Sequence, residues 1–212
     1  MRSESKAINR LTDVKSKVSS HYFIRRNGSV ILMVPELYEA WHAGKSYWKK
    51  DKSLNKNSIG IEMSNKGHRF GYQSFTKKQK NSLVKLSKIL IKKYNIKKTN
   101  ILGHSDIAWD RKKDPGEKFP WQYLSKNGVG IWHKINKRLQ KRLNKSKINK
   151  NQEYEFFKFL FKIGYFVKLK VKGSLNKTNL VKSFQRHFRQ NLINGKIDQE
   201  CLIIAKNLSK LI

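Results

Sequence analysis

Residues Thr76 to Tyr94 constrain the fold of this chain more than any other stretch. Leu83, Leu86, Leu90 and Tyr94 recur at helical spacing, Val84, Ile89 and Ile91 thicken the stripe, and Thr76 is placed to cap the start. A helix with one apolar face must lay it on a sheet or on other helices. Strand-like runs flank it: Ser58-Ile-Gly-Ile-Glu62-Met-Ser64 before it and Asn100-Ile-Leu-Gly103 after it. Strand, helix, strand is the grammar of an α/β sheet, so a mixed sheet flanked by helices is expected.

The rest of the chain fits around that unit. His21-Tyr-Phe-Ile-Arg-Arg26 and Ser29-Val-Ile-Leu-Met-Val34 are β-rich runs joined by Asn27-Gly28, a strong hairpin signal. Ala7, Ile8, Leu11 and Val14 predict a short amphipathic helix between Glu4 and about Lys17. Residues 133–151 are poor in apolar side chains and dense in lysine, which reads as a linker. Beyond it three helical patterns follow: 153–163 (Phe156, Phe157, Leu160, Phe161), 177–188 (Leu180, Val181, Phe184, Phe188) and 198–211 (Leu202, Ala205, Leu208). The expected organisation is an α/β domain over 1–132, a linker over 133–151 and a small three-helix domain over 152–212. With 38% apolar residues, the chain can fill both cores.

A net charge of +34 points to a polyanionic partner: nucleic acid, anionic lipid or an acidic cell-wall polymer. Of the 48 basic residues 38 are lysine, whereas base-edge readout favours the arginine fork, so no specific nucleic-acid recognition is indicated. A bias toward Lys, Asn and Ile that paints the solvated surface explains the charge equally well. No apolar run approaches the roughly 20 residues of a transmembrane helix, and the first residues lack the apolar core of a signal peptide. Cys201 permits no internal disulfide and, beside Leu202, Ile203 and Ile204, reads as a small core residue.

The chemistry gathers around His104 and Asp114, which look like half of a metal site; a catalytic zinc usually takes three protein ligands and leaves a fourth position to water. A lone histidine ending a strand is more often structural, but Asp114 in an Asp-Pro-Gly turn, Lys112 two residues before it, and Glu62 closing another strand supply the ionisable set that a hydrolase needs. Glu62 suits the role of proton acceptor and donor, and Lys112 that of a cation beside a developing oxyanion. Taken alone, Lys112 is one solvated lysine among many.

Ser19-Ser-His-Tyr22, Val34-Pro-Glu36, Ala40-Trp-His-Ala-Gly44, Ser58-Ile-Gly-Ile-Glu62, Gly103-His-Ser-Asp-Ile-Ala108, Arg111-Lys-Lys-Asp-Pro-Gly116 and Phe119-Pro-Trp121 occur in one order. In that order they resemble the zinc-dependent N-acetylmuramoyl-L-alanine amidases of the amidase-2 (AmpD-like) family. The tail, with Gly164-Tyr-Phe-Val167, Phe184-Gln-Arg-His-Phe-Arg189 and Asn194-Gly-Lys-Ile-Asp198, resembles the peptidoglycan-binding module of two-domain AmiD-like members.

The resemblance implies zinc as cofactor with His104 and Asp114 as ligands, Glu62 as acid and base, and Lys112 assisting the tetrahedral intermediate. The family's remaining ligand is a histidine in an apolar-His-Tyr-Thr strand that would lie upstream of Met1, so one zinc ligand is expected to be missing from these 212 residues. His21 and His42 fall in motifs near the substrate cleft, as possible contacts or as structural rings. Trp41 and Trp121 either line the groove or cover the sheet. The implied partners are peptidoglycan or muropeptides, the implied location is the periplasm or cell envelope, and a monomer is expected. Two rival readings are a truncated protein that grips peptidoglycan without cutting it and a basic nucleic-acid binder.

Overall fold

The computed structural model describes residues 3–167 and 174–212, which pack as two compact units. The first holds residues up to Ser46, Lys52–Lys97 and Lys118–Val129; the second holds Tyr47–Asp51, Lys98–Glu117 and Gly130 onward. The second unit therefore draws on two stretches of the region expected to form the α/β domain, and Lys98–Glu117, with His104 and Asp114, packs with the tail.

In the first unit a helix α1 (Glu4–Thr12) precedes a three-stranded sheet of order β2-β1-β5, with β1 Tyr22–Ile24, β2 Val30–Leu32 and β5 Ile61–Met63. The Asn27-Gly28 hairpin joins β1 and β2 antiparallel as expected, pairing Phe23 with Ile31. Strand β5 runs parallel to β1 and sets Glu62 beside Phe23. Consecutive residues Phe23 and Ile24 are both buried, so the central strand is covered on both faces. A two-stranded ribbon, β3 (Tyr47–Trp48) and β4 (Asp51–Lys52), lies in the β2–β5 connection.

Helix α2 (Lys77–Tyr94) forms as the periodicity requires. Thr76 accepts from the Gln79 amide and Gln79 returns a bond to the Thr76 amide, completing a capping box. Thr76 Oγ1 also donates to the Arg26 carbonyl and Gln79 Nε2 to the Ser64 carbonyl, which tie the helix start to the sheet. Leu83, Val84 and Leu90 are buried; Ile89 instead faces solvent and Tyr94 is largely exposed. The expected strand at Asn100–Gly103 does not form. Lys98–Asn100 makes a 3-10 turn and Gly103 caps the next helix, so too few residues remain between them to join a ladder. The parallel pairing in this sheet is β1 with β5, and among the described residues no strand follows α2.

In the second unit α3 (His104–Ile107) is a single turn, and α4 (Trp121–Lys126) belongs to the first. The tail comprises α5 (Lys137–Leu143), α6 (Lys150–Ile163), α7 (Ser174–Phe188) and α8 (Gln199–Ser209). Phe156, Leu160, Phe184, Phe188, Cys201 and Ile204 are buried in its core, with Phe156 edge-on to Phe184 at 5.2 Å; Phe161, expected inside, points out. The lysine-dense stretch 133–151 is packed rather than loose. His133 is buried against the Phe188 carbonyl, Asn144 donates to Glu200 at 2.6 Å, and Ser146 accepts from the Gln199 amide. Gly164 closes α6 at φ +132°, where a Cβ would stand 2.7 Å from the Trp48 ring.

Candidate functional site

His104 opens α3 behind the Gly103 cap, and its geometry depends on the residues that follow. The Ser105 amide donates to the Asp114 carbonyl at 2.8 Å, while Arg111 and Lys112 amides return to Ala108, so the 108–114 turn folds back onto α3. His104 Nδ1 comes to 2.9 Å from Asp114 Oδ2. Desolvation raises the Asp114 pKa, but its bond to His104 and the Lys112 ammonium outweigh that, holding the carboxyl below its ordinary value. The structure thus brings His104 into contact with Asp114, with Lys112 within electrostatic reach of that carboxyl. Two donors at zinc distances in tetrahedral geometry stand about 3.3 Å apart, so a shift of a few tenths of an ångström would let this pair share one ion. Among the described residues no group of three His, Cys, Asp or Glu side chains could hold a metal.

Glu62 lies in the first unit, exposed on β5. His21, expected near substrate, is instead a structural ring that is 2% exposed. Its Nδ1 accepts from the Gly60 amide at 3.0 Å, so the proton sits on Nε2, which donates to the Tyr38 carbonyl at 3.0 Å. Both nitrogens are committed to backbone, leaving none for a metal or a substrate. His42 is half-buried, edge-on to His21 at 5.5 Å, and lies so close to Gly60 that a Cβ there would meet its ring at 2.3 Å. Trp41 is 47% exposed, with its backbone clamped to Ser19 by bonds in both directions. Trp121 is 4% exposed and packs on Phe119 at 4.4 Å, so it covers the core and does not line a groove.

Two clusters escaped the sequence reading. The Glu36 carboxylate accepts from Lys93, Tyr22 and Tyr94. The Lys93 bond and then the tyrosine bonds pull Glu36 down to about 2, while burial and Glu36 push Tyr22 up to about 12. The second cluster surrounds Asp106, which is fully buried and accepts from the Gly103 amide (2.7 Å), Tyr165 Oη (2.6 Å) and His187 Nδ1 (2.8 Å). Burial and the Asp106 charge raise the Tyr165 pKa well above its ordinary value, so the phenol remains a donor. Asp106 lies in the Gly103–Ala108 motif, but Tyr165 and His187 are 59 and 81 positions away, and no local pattern links them.

A small mixed sheet flanked by helices, with an ionisable His–Asp–Lys loop, is the frame of an amide hydrolase, and the comparison with known proteins gives the family. The chain belongs to the Amidase_2 family, N-acetylmuramoyl-L-alanine amidase, which matches residues 1–117. It is 37% identical over 213 residues to N-acetylmuramoyl-L-alanine amidase AmiD of Escherichia coli (strain K12), covering 93% of this chain and 75% of that protein. It is 40% identical over 111 residues to 1,6-anhydro-N-acetylmuramyl-L-alanine amidase AmpD of Haemophilus influenzae, covering 51% of this chain and 58% of that protein. The fold matches E. coli AmiD in complex with anhydro-N-acetylmuramic acid-L-Ala-D-gamma-Glu-L-Lys, with a TM-score of 0.85 and 32% identity over 98% of this chain and 84% of that one. It also matches AmpDh3 of Pseudomonas aeruginosa in complex with anhydromuramic pentapeptide (TM-score 0.83, 28% identity, 98% and 87% covered).

Proposed function

We propose that this amidase hydrolyses the amide between the lactyl group of N-acetylmuramic or anhydro-N-acetylmuramic acid and the L-alanine of the stem peptide. The observation that carries the reading is the 2.9 Å contact of His104 with Asp114, with Lys112 beside it, at the end of the family-matched segment. His104 and Asp114 are the two donors these residues offer to a zinc ion, which when bound would supply a Lewis acid and a more acidic water. Glu62 takes the proton of the attacking water and returns it to the leaving amine of L-alanine. Lys112 faces the carbonyl oxygen as it gains negative charge. Trp41, exposed and held by Ser19, offers an aromatic face to the sugar or the acyl-peptide stem.

Residues 152–212 hold the enzyme to the wall, and the +34 charge favours a polymer bearing stem-peptide carboxylates. The cell envelope is the corresponding location; among the described residues no helix is long and apolar enough to cross a membrane. The test is incubation of the chain, with zinc supplied, with anhydromuramyl tripeptide, resolving products by mass. Release of free tripeptide is expected. Binding to sacculi without any release would instead establish a protein that grips peptidoglycan and does not cut it.

A further inference from the structure

We propose that Tyr165, Ser183 and His187 of the helical tail are positioning residues for the His104–Asp114 loop, making the tail part of the amidase site's support. The proposal rests on the reading of His104 and Asp114 as the site. Tyr165 follows α6, and Ser183 and His187 lie on α7. They hold the two residues that follow His104: Ser183 Oγ donates to the Ser105 carbonyl at 2.7 Å, and Tyr165 and His187 donate to the Asp106 carboxyl at 2.6 and 2.8 Å.

The physics favours a rigid arrangement. A buried carboxyl is tolerated only where donors replace its water, and Asp106 has three, one of which is the Gly103 amide that opens the helical turn of His104. The same turn is bound to the Asp114 carbonyl through the Ser105 amide. Helix α7, which carries Ser183 and His187, is itself fixed by Phe184 and Phe188 in the tail core. Its Arg186 lies within electrostatic reach of Glu117 and Asp114. The turn of His104 is therefore gripped between the Asp114 turn on one side and three tail side chains on the other, Tyr165, Ser183 and His187. A four-residue helix has no such rigidity alone. Because reacting groups must be held to within about an ångström, loosening this grip acts on turnover.

The experiment compares His187→Leu, His187→Asn, Tyr165→Phe and Ser183→Ala in the full chain. Turnover of soluble anhydromuramyl tripeptide is assayed below each variant's Tm, alongside amide hydrogen exchange. His187→Leu should lower kcat about 10-fold or more with KM within about twofold. His187→Asn, whose amide nitrogen stands near the place of ring Nδ1, should restore most of it. The Gly103 and Ser105 amides should exchange faster in His187→Leu and Tyr165→Phe than in the parent. If His187→Leu does not fold, the two hydroxyl deletions carry the test. Unchanged kcat and unchanged exchange at Gly103 and Ser105 would overturn the proposal, as would a loss of kcat that tracks Tm alone and is not restored by asparagine. Full activity in His104→Ala would instead remove the site reading, while the exchange data would still decide whether the tail holds the loop.

Discussion

Asp114 is tied to the first turn of α3 twice: its Oδ2 lies 2.9 Å from Nδ1 of His104, and its main-chain carbonyl accepts from the amide of Ser105 at 2.8 Å. Backbone and side chain thus fix the same pair, so the fold itself orders His104 and Asp114 relative to each other. Asp114→Asn keeps the volume and the loop but removes the charge that a cation needs. It should weaken zinc retention against a competing chelator by about tenfold or more and lower amide hydrolysis accordingly. Unchanged chelator competition would show that Asp114 holds no metal.

Glu62→Gln keeps shape and can still donate a hydrogen bond, but it cannot accept a proton. Turnover should fall roughly 10²-fold or more, with zinc content and thermal stability unaltered, since the side chain is exposed on β5. Near-normal turnover would exclude Glu62 from proton transfer.

Burial lowers the pKa of His133 to about 4 from 6.5, against a smaller opposing effect of the Phe188 carbonyl. The folded state therefore prefers the neutral ring. Its contribution is fully present above pH 6.5 and declines as pH falls toward 4, because the unfolded chain then binds the proton more tightly. The loss over that window is about 3 kcal/mol. Denaturant unfolding at pH 7 and pH 4 should show this slope in the parent and a shallower one in His133→Asn. Glu36 has the same sign in a lower window: with its folded pKa at about 2, its share is kept until the pH falls below 4.5 and is lost as the pH falls through 2.

Helix α2 and the Asn27-Gly28 hairpin were legible because their signals are local: a 3.6-residue stripe with a Thr76 cap, and a turn dipeptide between alternating runs. The contact of His104 with Asp114 was anticipated because both fall in motifs of the family resemblance and Asp114 sits in an Asp-Pro-Gly turn. Local signals failed where an outcome depended on distant chain. The run at Asn100–Gly103 is apolar enough for a strand, yet its neighbours consume it in a turn and a cap. His21 and Trp121 are the residue types that line a carbohydrate cleft, but Gly60 and Tyr38 saturate one and Phe119 covers the other. The lysines of 133–151 look like a linker because the contacts that pack it, from Asn144 to Glu200 and from Ser146 to Gln199, reach 56 and 53 positions ahead.

The tail gives the sharpest test of how the chain is organised. Read from sequence, residues 152–212 are a small domain set apart by a linker, and the loss of such a module would leave cleavage of a small soluble substrate unaffected. In the structure, Lys98–Glu117 packs with the tail, and deleting 152–212 removes Tyr165, Ser183 and His187 together. Asp106 would then keep only the Gly103 amide among its three described donors, and the core formed by Phe184 and Phe188 would go with the helix that carries them. Hydrolysis of soluble anhydromuramyl tripeptide should therefore fall by about tenfold or more in the truncated chain, together with a lower Tm. Retention on insoluble sacculi should fall as well, and part of that loss should persist at high salt. Adhesion due to the +34 charge alone fades as ionic strength rises, whereas a second binding site tethered to the first does not depend on screening. A truncated chain with full activity on the soluble tripeptide would show that the tail serves only to anchor, and equal pelleting of both chains at high salt would show that it does not anchor at all.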